Sequence, residues 1–199
     1  MSSVFELLTQ QIAGGGLSKI QQQLGTDEAT TAKAVPAALG TLMSALAKNS
    51  ASSGGAEALL GALTRDHDGG ILENLTDHLS RPDESVGNGI LKHVLGNKQS
   101  SVQAGLGQSV GLDAGSSAKL LAMLAPLVMG ALGKAQRSGG LDAGAVASML
   151  GQEKKVVAKK LPADLGMLGS LLDQDGDGSI TDDVAKLGGG LLKNFLGRR

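Results

Sequence analysis

The sequence predicts an all-α protein, a multi-helix bundle built from short helices, on three observations. Apolar residues recur at steps of three and four, as in Val4, Leu7, Leu8 and Ile12, which is the period of one helix face. No long stretch alternates apolar and polar residues with the period of two that is typical of strands. Alanine and leucine, which favour helices, dominate, whereas aromatic residues, which strands prefer, make up 1% of the chain.

Glycine marks the predicted helix ends. The chain contains 31 glycines among its 199 residues, and many of them stand where an apolar periodic segment ends or begins. Glycine accepts the left-handed conformation that ends a helix without a steric penalty. We therefore interpret them as boundaries between about ten short helices. The glycines at such positions are residues 14–16, Gly54, Gly55, Gly69, Gly70, Gly87, Gly96, Gly111, Gly139, Gly140 and Gly151.

Two stretches of the chain resemble each other, which predicts an internal duplicated helical unit. The first runs through residues 24–63 and the second through residues 110–150. Each contains a Gly-x-Asp turn, a long segment of helical period with one proline (Pro36 or Pro126), a Ser-Gly-Gly turn and a short helix. Each proline must kink its helix or mark the start of a new one.

The chain divides into two predicted units at residues 151 and 152. After Gly151 the composition changes to a lysine-rich run, residues 153–160, which is followed by Pro162 and an acidic tail. We expect residues 1–151 to form the all-helical domain that contains the repeat. We expect residues 152–199 to form a helix, a calcium loop and a second helix.

Composition excludes several classes of function. The chain has no cysteine, and therefore no disulfide, thiolate metal site or cysteine nucleophile. Its only aromatic residues are Phe5 and Phe195, and its formal net charge is −1, so it lacks the stacking platforms and the basic surface of a nucleic-acid binder. No acid–base pair or activated nucleophile is set at a mechanistic spacing, so we predict that the protein is not an enzyme.

The three histidines do not predict a catalytic or metal site. His67 stands in the segment Arg-Asp-His-Asp-Gly-Gly, which lacks a third aspartate at the required offset and is interpreted as a polar turn. His78 and His93 stand near predicted helix ends, where an imidazolium interacts favourably with the helix dipole.

The sequence predicts no integral membrane segment. The N-terminus has no cationic region followed by a long apolar run, so it does not resemble a secretory signal. The most apolar run, residues 120–132, is shorter than the ~20 residues that span a bilayer and contains Pro126. We expect this run to be a buried core helix and the protein to be cytoplasmic.

The acidic tail predicts a calcium site. Asp173, Asp175 and Asp177 occupy positions 1, 3 and 5 of an EF-hand-type loop, Gly178 occupies the turn position 6, and Ser179 offers its carbonyl at position 7. Alternate aspartates in a tight turn converge on one point and repel each other unless a cation neutralises them. Calcium accepts six to eight oxygen ligands with flexible geometry, whereas Mg²⁺ demands a stricter octahedron.

The loop departs from the EF-hand pattern at its end. Position 12, which should be a bidentate glutamate, is Val184, and aspartates stand at positions 10 and 11. We infer that one of these two carboxylates closes the site from the first turn of the following helix. An aspartate-rich helix cap without metal is the alternative. The predicted ligands are Asp173, Asp175, Asp177, Ser179, Asp182 and Asp183.

The central residues are similar to a known family. The segment Gly87-Asn-Gly-Ile-Leu-Lys-His-Val-Leu-Gly96 and the pattern Leu-Ala-Pro-Leu-Val-Met-Gly at residues 124–130 resemble the YidB-like bacterial proteins, whose domain has no known function. The resemblance covers most of residues 1–151, and the acidic tail resembles a C-terminal extension of many members. It implies an all-helical fold and supplies no activity or catalytic residues.

These observations lead to one functional hypothesis and two alternatives. We expect a non-enzymatic, calcium-binding interaction or scaffolding protein, with a protein partner or a second copy, in which Ca²⁺ stabilises the tail. The first alternative is a carrier of a small apolar ligand or lipid, with a cavity between the helices of Pro36 and Pro126. The second is a peripheral membrane protein that uses the lysines of residues 154–160.

Overall fold

The computed structural model describes residues 3–161 and confirms the all-α, multi-helix fold. Within this range short turns connect the helices and no strand occurs. The predicted C-terminal helix–loop–helix lies outside the described residues. The helices of residues 3–161 are α1 (Val4–Gln11), α2 (Leu17–Leu24), α3 (Glu28–Asn49), α4 (Ser53–Asp66), α5 (Leu75–Ser80), α6 (Glu84–Leu95), α7 (Gln99–Val110), α8 (Ala114–Gly139) and α9 (Ala143–Lys160). A π-type turn, Ile12–Gly16, joins α1 to α2, and single 3₁₀ turns cover Gly70–Leu72 and Gly96–Lys98.

The two longest helices, α3 and α8, pack against each other at the centre of the molecule. The apolar run of residues 120–132 lies in α8, and all of its residues except Ala131 are buried, which confirms the prediction of a core helix. By length and composition alone α8 could cross a membrane, but 78% of its most apolar window is buried inside the protein. The other helices of the chain therefore cover the apolar surface of α8.

Both long helices continue through their prolines, so neither proline marks a new helix. Because Pro126 has no N–H, the carbonyl of Ala122 receives no hydrogen bond from the residue four positions later. The backbone of α6 approaches α8 closely at this carbonyl: Gly87 lies so near that a Cβ at residue 87 would overlap the oxygen. Gly87 was predicted to be a helix boundary and lies inside α6, as Gly151 lies inside α9. Glycine at a close approach and glycine at a helix end have the same sequence signal.

One type of turn precedes three of the helices. In each, a glycine with positive φ ends a helix, the next residue donates its N–H to a carbonyl five residues earlier, and an aspartate caps the following helix. The aspartate Oδ1 accepts the N–H of the residue three positions later at 2.8 to 2.9 Å in all three turns. The turns are Gly25-Thr26-Asp27 before α3, Gly111-Leu112-Asp113 before α8 and Gly140-Leu141-Asp142 before α9.

The packing of the helices follows the duplication and extends it beyond the predicted stretches. We name α1–α4 the first unit and α6–α9 the second unit. The contacts between them are reciprocal: α3 packs against α7 and α9, whereas α8 packs against α2 and α4. Gly40 and Gly130, each four residues after its proline, receive an apolar side chain from outside their own unit. A Cβ at Gly40 would lie 2.8 Å from Val157 Cγ1, and one at Gly130 would lie 2.5 Å from Cγ2 of Ile71, in the 3₁₀ turn after the first unit, so either Cβ would overlap its neighbour.

Helix α9 extends across the domain boundary that the sequence predicts. The boundary at residues 151 and 152 falls in the middle of α9, and Glu153 and Val157 beyond it are buried. Residues 152–161 therefore pack as part of the same helical body as residues 3–151.

Candidate functional site: the groove between α4 and α6

An apolar groove of about 750 Å³ opens between α4 and α6. Leu46 of α3 and Met129 of α8 also line it; both side chains are almost fully buried. Val86 at its edge is one of the two large apolar side chains most exposed among residues 3–161. The lining residues are Leu46, Asn49, Gly55, Ala58, Leu59, Ala62, Arg65, Asp66, His67, Val86, Gly89, Ile90, His93, Val94 and Met129.

The groove lies where the two units differ. In the duplicated arrangement, the counterpart of the pair α6 and α4 is the pair α1 and α9. Helices α1 and α9 pack closely, whereas α6 and α4 are not among the closely packed pairs. Every other close contact between the two units has its counterpart. The groove is therefore an interface that is closed in one half of the molecule and open in the other.

A buried carboxylate holds the closed interface together. Glu153 of α9 is 5% exposed and accepts hydrogen bonds from the backbone N–H groups of Val4 (2.8 Å) and Phe5 (3.0 Å) in the first turn of α1. These two groups have no partner within their own helix, so Glu153 caps α1 from a distant part of the sequence. Its negative charge also interacts favourably with the N-terminal end of the helix dipole.

A second polar contact lies at the surface of the same interface. Lys160 Nζ lies 3.0 Å from Glu6 Oε1, and the Lys160 ammonium, followed by the Ser3 backbone N–H, lowers the pKa of Glu6. Lys160 belongs to the lysine-rich face that the membrane alternative requires, so one of its four lysines is engaged within the chain. Nothing comparable joins α4 to α6.

Both walls of the groove are fixed to the central helices. Gly87 brings α6 against α8, as described above. At the end of α4 a Cβ on Gly133 of α8 would overlap the carbonyl oxygen of His67. Asn49 Nδ2 at the end of α3 donates to the carbonyl of Val94 on α6 at 2.7 Å. Such close contacts leave little room for the walls to shift, so the groove is pre-formed.

The polar part of the lining is small. Arg65, Asp66 and His67 are consecutive at the end of α4, and His93 stands on α6. Burial lowers the pKa of the half-buried His67, against the opposing effect of the Asp66 charge, so its imidazole is neutral at pH 7. His93 Nδ1 lies 2.8 Å from the carbonyl of Gly89, and this nitrogen therefore carries a hydrogen. No general acid is paired with a nucleophile along this lining.

The predicted calcium ligands, Asp173, Asp175, Asp177, Ser179, Asp182 and Asp183, all lie outside the described residues. Within residues 3–161 no three histidine or acidic side chains come together in a way that could hold a metal ion. The His67 segment forms a polar turn as predicted, in which Asp68 Oδ1 accepts the N–H of Gly70 at 2.9 Å. His78 Nε2 lies 3.0 Å from the carbonyl of Met123 on α8, which gives this histidine a structural role.

The groove is not where the carrier hypothesis placed its cavity. The helices of Pro36 and Pro126 pack directly against each other, and each contributes one apolar side chain to the floor of the groove. The sequence analysis did not predict that α4 and α6 form the walls of a groove. The available signal was the row of small residues Gly55, Ala58 and Ala62, which recur at helical spacing on α4 where a core helix would place larger side chains.

The fold and the groove together define an all-α protein with an internal duplication and a candidate ligand site between its two units. A family model of bacterial proteins of unknown function, DUF937, matches residues 6–135. Because this match covers more than half of the chain, the protein belongs to that family, and the resemblance drawn from the sequence is confirmed at this level. No curated protein and no solved structure matches the chain.

Proposed function

We propose that the protein is a non-enzymatic binding protein that holds a small apolar ligand in the groove between α4 and α6. The observation that carries this proposal is the open, apolar interface at the one place where the duplicated packing is not closed. Burial of apolar surface is the main driving force for such binding, and the fixed walls reduce the entropy that binding costs.

The size of the groove favours a small molecule over a helix of a partner protein. Its volume of about 750 Å³ is within the ~300–1,000 Å³ of typical ligand pockets. A helix with side chains is about 10 Å across and rises 1.5 Å per residue, so each residue occupies ~120 Å³. The groove would therefore hold about six helical residues, fewer than two turns.

The test is equilibrium binding of dodecan-1-ol, an uncharged linear chain, by calorimetry. Ala62→Leu fills the groove and should weaken binding by about tenfold, since added methyl groups displace the ligand. Ala158→Leu adds the same group on the exposed face of α9 and should leave affinity unchanged. Absence of binding to the wild type, or equal affinity in both variants, would overturn the proposal.

Calcium binding by the C-terminal loop is a second candidate function, supported by the spacing of Asp173, Asp175 and Asp177. In this proposal Ca²⁺ stabilises the folded tail by mass action. Titration calorimetry of Ca²⁺ should give heat with the wild type and none with a variant that combines Asp175→Ala and Asp177→Ala. A wild type that gives no heat and no rise in melting temperature would rule this function out.

Three further expectations go with these proposals. We expect the protein to be YidB-like within the bacterial family, to carry the acidic extension typical of many members, and to be cytoplasmic. An interaction or scaffolding role, with a partner protein or a second copy, is compatible with both. Analytical ultracentrifugation with and without Ca²⁺ tests self-association directly: a monomer in both conditions would remove the second copy as a partner.

A further inference from the structure

We infer that the ligand of the groove is a linear, single-chain amphiphile with an anionic head, and that Arg65 binds the head. This inference rests on the proposed function, because it specifies the chemical class of the ligand that the same groove accepts.

The shape of the α4 wall carries the first part of the argument. Gly55, Ala58, Ala62 and Arg65 follow each other at steps of three, four and three, so they form one stripe along α4. The first three have little or no side chain and leave a straight, shallow path. At a rise of 1.5 Å per residue the stripe is about 15 Å long, close to the length of an extended twelve-carbon chain.

The other sides of the path are aliphatic. Leu59 beside the stripe on α4, Ile90 on α6 and Met129 on α8 contribute flexible or branched apolar side chains, and no phenylalanine, tyrosine or tryptophan lines the groove. A flat ring system would find no large aromatic side chain to stack on, whereas a methylene chain is surrounded by groups of its own kind. The lining therefore favours a linear alkyl chain over a polycyclic ligand.

The stripe ends in a cation that has no other partner in the described structure. Arg65 is the one lining residue that is positively charged at neutral pH, and it makes no ion pair or hydrogen bond with any residue of the range 3–161. Its Nη2 would lie 3.9 Å from a Cβ at Gly61, so the guanidinium extends back along its own helix. The planar guanidinium can bind a carboxylate or phosphate through two parallel hydrogen bonds.

The neighbouring groups decide between an anionic and a cationic head. Burial lowers the pKa of His67, and its neutral imidazole, with one N–H donor and one acceptor nitrogen, favours neither kind of head. Asp66 carries the opposite charge and reduces the attraction for an anion. Of the charged groups in the lining, only the Arg65 guanidinium offers paired, directional donors, which match the two oxygens of a carboxylate, so the lining favours an anionic head.

The experiment compares three ligands that share one chain: dodecanoate, dodecan-1-ol and dodecylammonium. For the wild type we expect dodecanoate to bind about tenfold more tightly than the alcohol, as for a charge-assisted hydrogen-bonded pair. Arg65→Gln should remove this preference, so that the affinity for dodecanoate falls to that for the alcohol or below. Arg81→Gln, which removes an exposed arginine outside the groove, should leave all three affinities unchanged.

The outcomes separate this inference from the proposed function. Equal binding of acid and alcohol, tighter binding of the ammonium, or an unchanged preference in Arg65→Gln would overturn the anionic head while the apolar groove stands. Binding of none of the three ligands would overturn both.

Discussion

The interface between α1 and α9 and the interface between α4 and α6 are counterparts in a duplicated fold, and they have different properties. The first is closed, with Glu153 capping α1 and Lys160 paired with Glu6. The second is open, apolar and lined by small residues on one wall. The comparison indicates that one copy of an interface is sufficient to fasten the two units, which leaves the other copy available for binding.

The difference arises from a few side chains rather than from a different topology. Helix α1 meets a buried carboxylate on α9 that satisfies its first N–H groups. Both helices also have a local N-cap, since Ser3 Oγ accepts the N–H of Glu6 in α1 and Asp83 Oδ1 accepts the N–H groups of Ser85 and Val86 in α6, at 3.0 and 3.4 Å. Asp83 thereby serves the second N–H of α6, whereas the corresponding N–H of α1, that of Phe5, is served by Glu153. Since α6 needs no cap from α4, nothing polar draws the two helices together.

The largest effect on stability is expected from Gly87→Ala, a substitution in α6 beside the open α4–α6 interface. The added methyl group would overlap the carbonyl oxygen of Ala122, so α6 must move away from α8. We expect the free energy of unfolding to fall by about 3 kcal/mol, which is at the upper end of the range for overpacked substitutions. The matched control is Gly89→Ala on the same helix, where the Cβ meets open space. Chemical denaturation should show this control to be neutral or stabilised, and equal destabilisation of both variants would contradict the close approach.

The next largest effect on stability is expected from Glu153→Ala, a substitution in the closed α1–α9 interface. It leaves the N–H groups of Val4 and Phe5 without partners in a buried position, at a cost of about 2 kcal/mol. Glu57→Ala removes an exposed glutamate from α4, the counterpart helix, and serves as the control. Denaturation midpoints and hydrogen exchange of the Val4 and Phe5 amides are the measurements. Equal destabilisation of both variants, together with unaltered hydrogen exchange of the Val4 and Phe5 amides, would contradict the capping role of Glu153.

A smaller and equal effect is expected from Asp27→Ala and Asp113→Ala, which cap the long helices of the two units. Hydrogen bonds from the side chain and backbone N–H of Thr30 lower the pKa of Asp27, and those of Ser116 lower the pKa of Asp113. A carboxylate with a lowered pKa in the folded state adds stability above its unfolded pKa and loses it as the pH falls. Both variants should therefore flatten the acid side of the stability profile by similar amounts, and a large inequality would contradict the equivalence of the units.

The smallest effect is expected from His67→Gln at the end of α4. Because burial lowers the pKa of His67 in the folded protein, the unfolded chain takes up the proton first as the pH falls below about 6.5. The wild type should therefore lose a little stability between pH 7 and pH 5, and the variant should lose less. Thermal unfolding across this range measures the slope, and identical slopes would contradict the assignment of a lowered pKa.

The sequence predicts the helices and the duplication because both depend on local chemistry. Periodic leucines, Gly-x-Asp turns and prolines in corresponding places are visible without any knowledge of packing. The role of Glu153 cannot be predicted in this way, because a glutamate in a lysine-rich run resembles a solvated surface residue. Only the folded structure brings its carboxylate to Val4 of α1, which is 149 positions away in the sequence. The groove was missed for the same reason. It depends on how far apart α4 and α6 lie, and that distance is set by Gly87 and Gly133 on helices packed from distant parts of the chain.

The central claim, that the open counterpart of the α1–α9 interface is a ligand site, is tested most directly by nuclear Overhauser effects in the complex with dodecanoate. We predict contacts from the chain methylenes to the methyl groups of Ala62, Ile90 and Met129, and none to the methyl groups of Val146 and Val157 on α9. Contacts confined to residues outside α4, α6 and the floor of the groove, or their complete absence at saturating ligand, would contradict it.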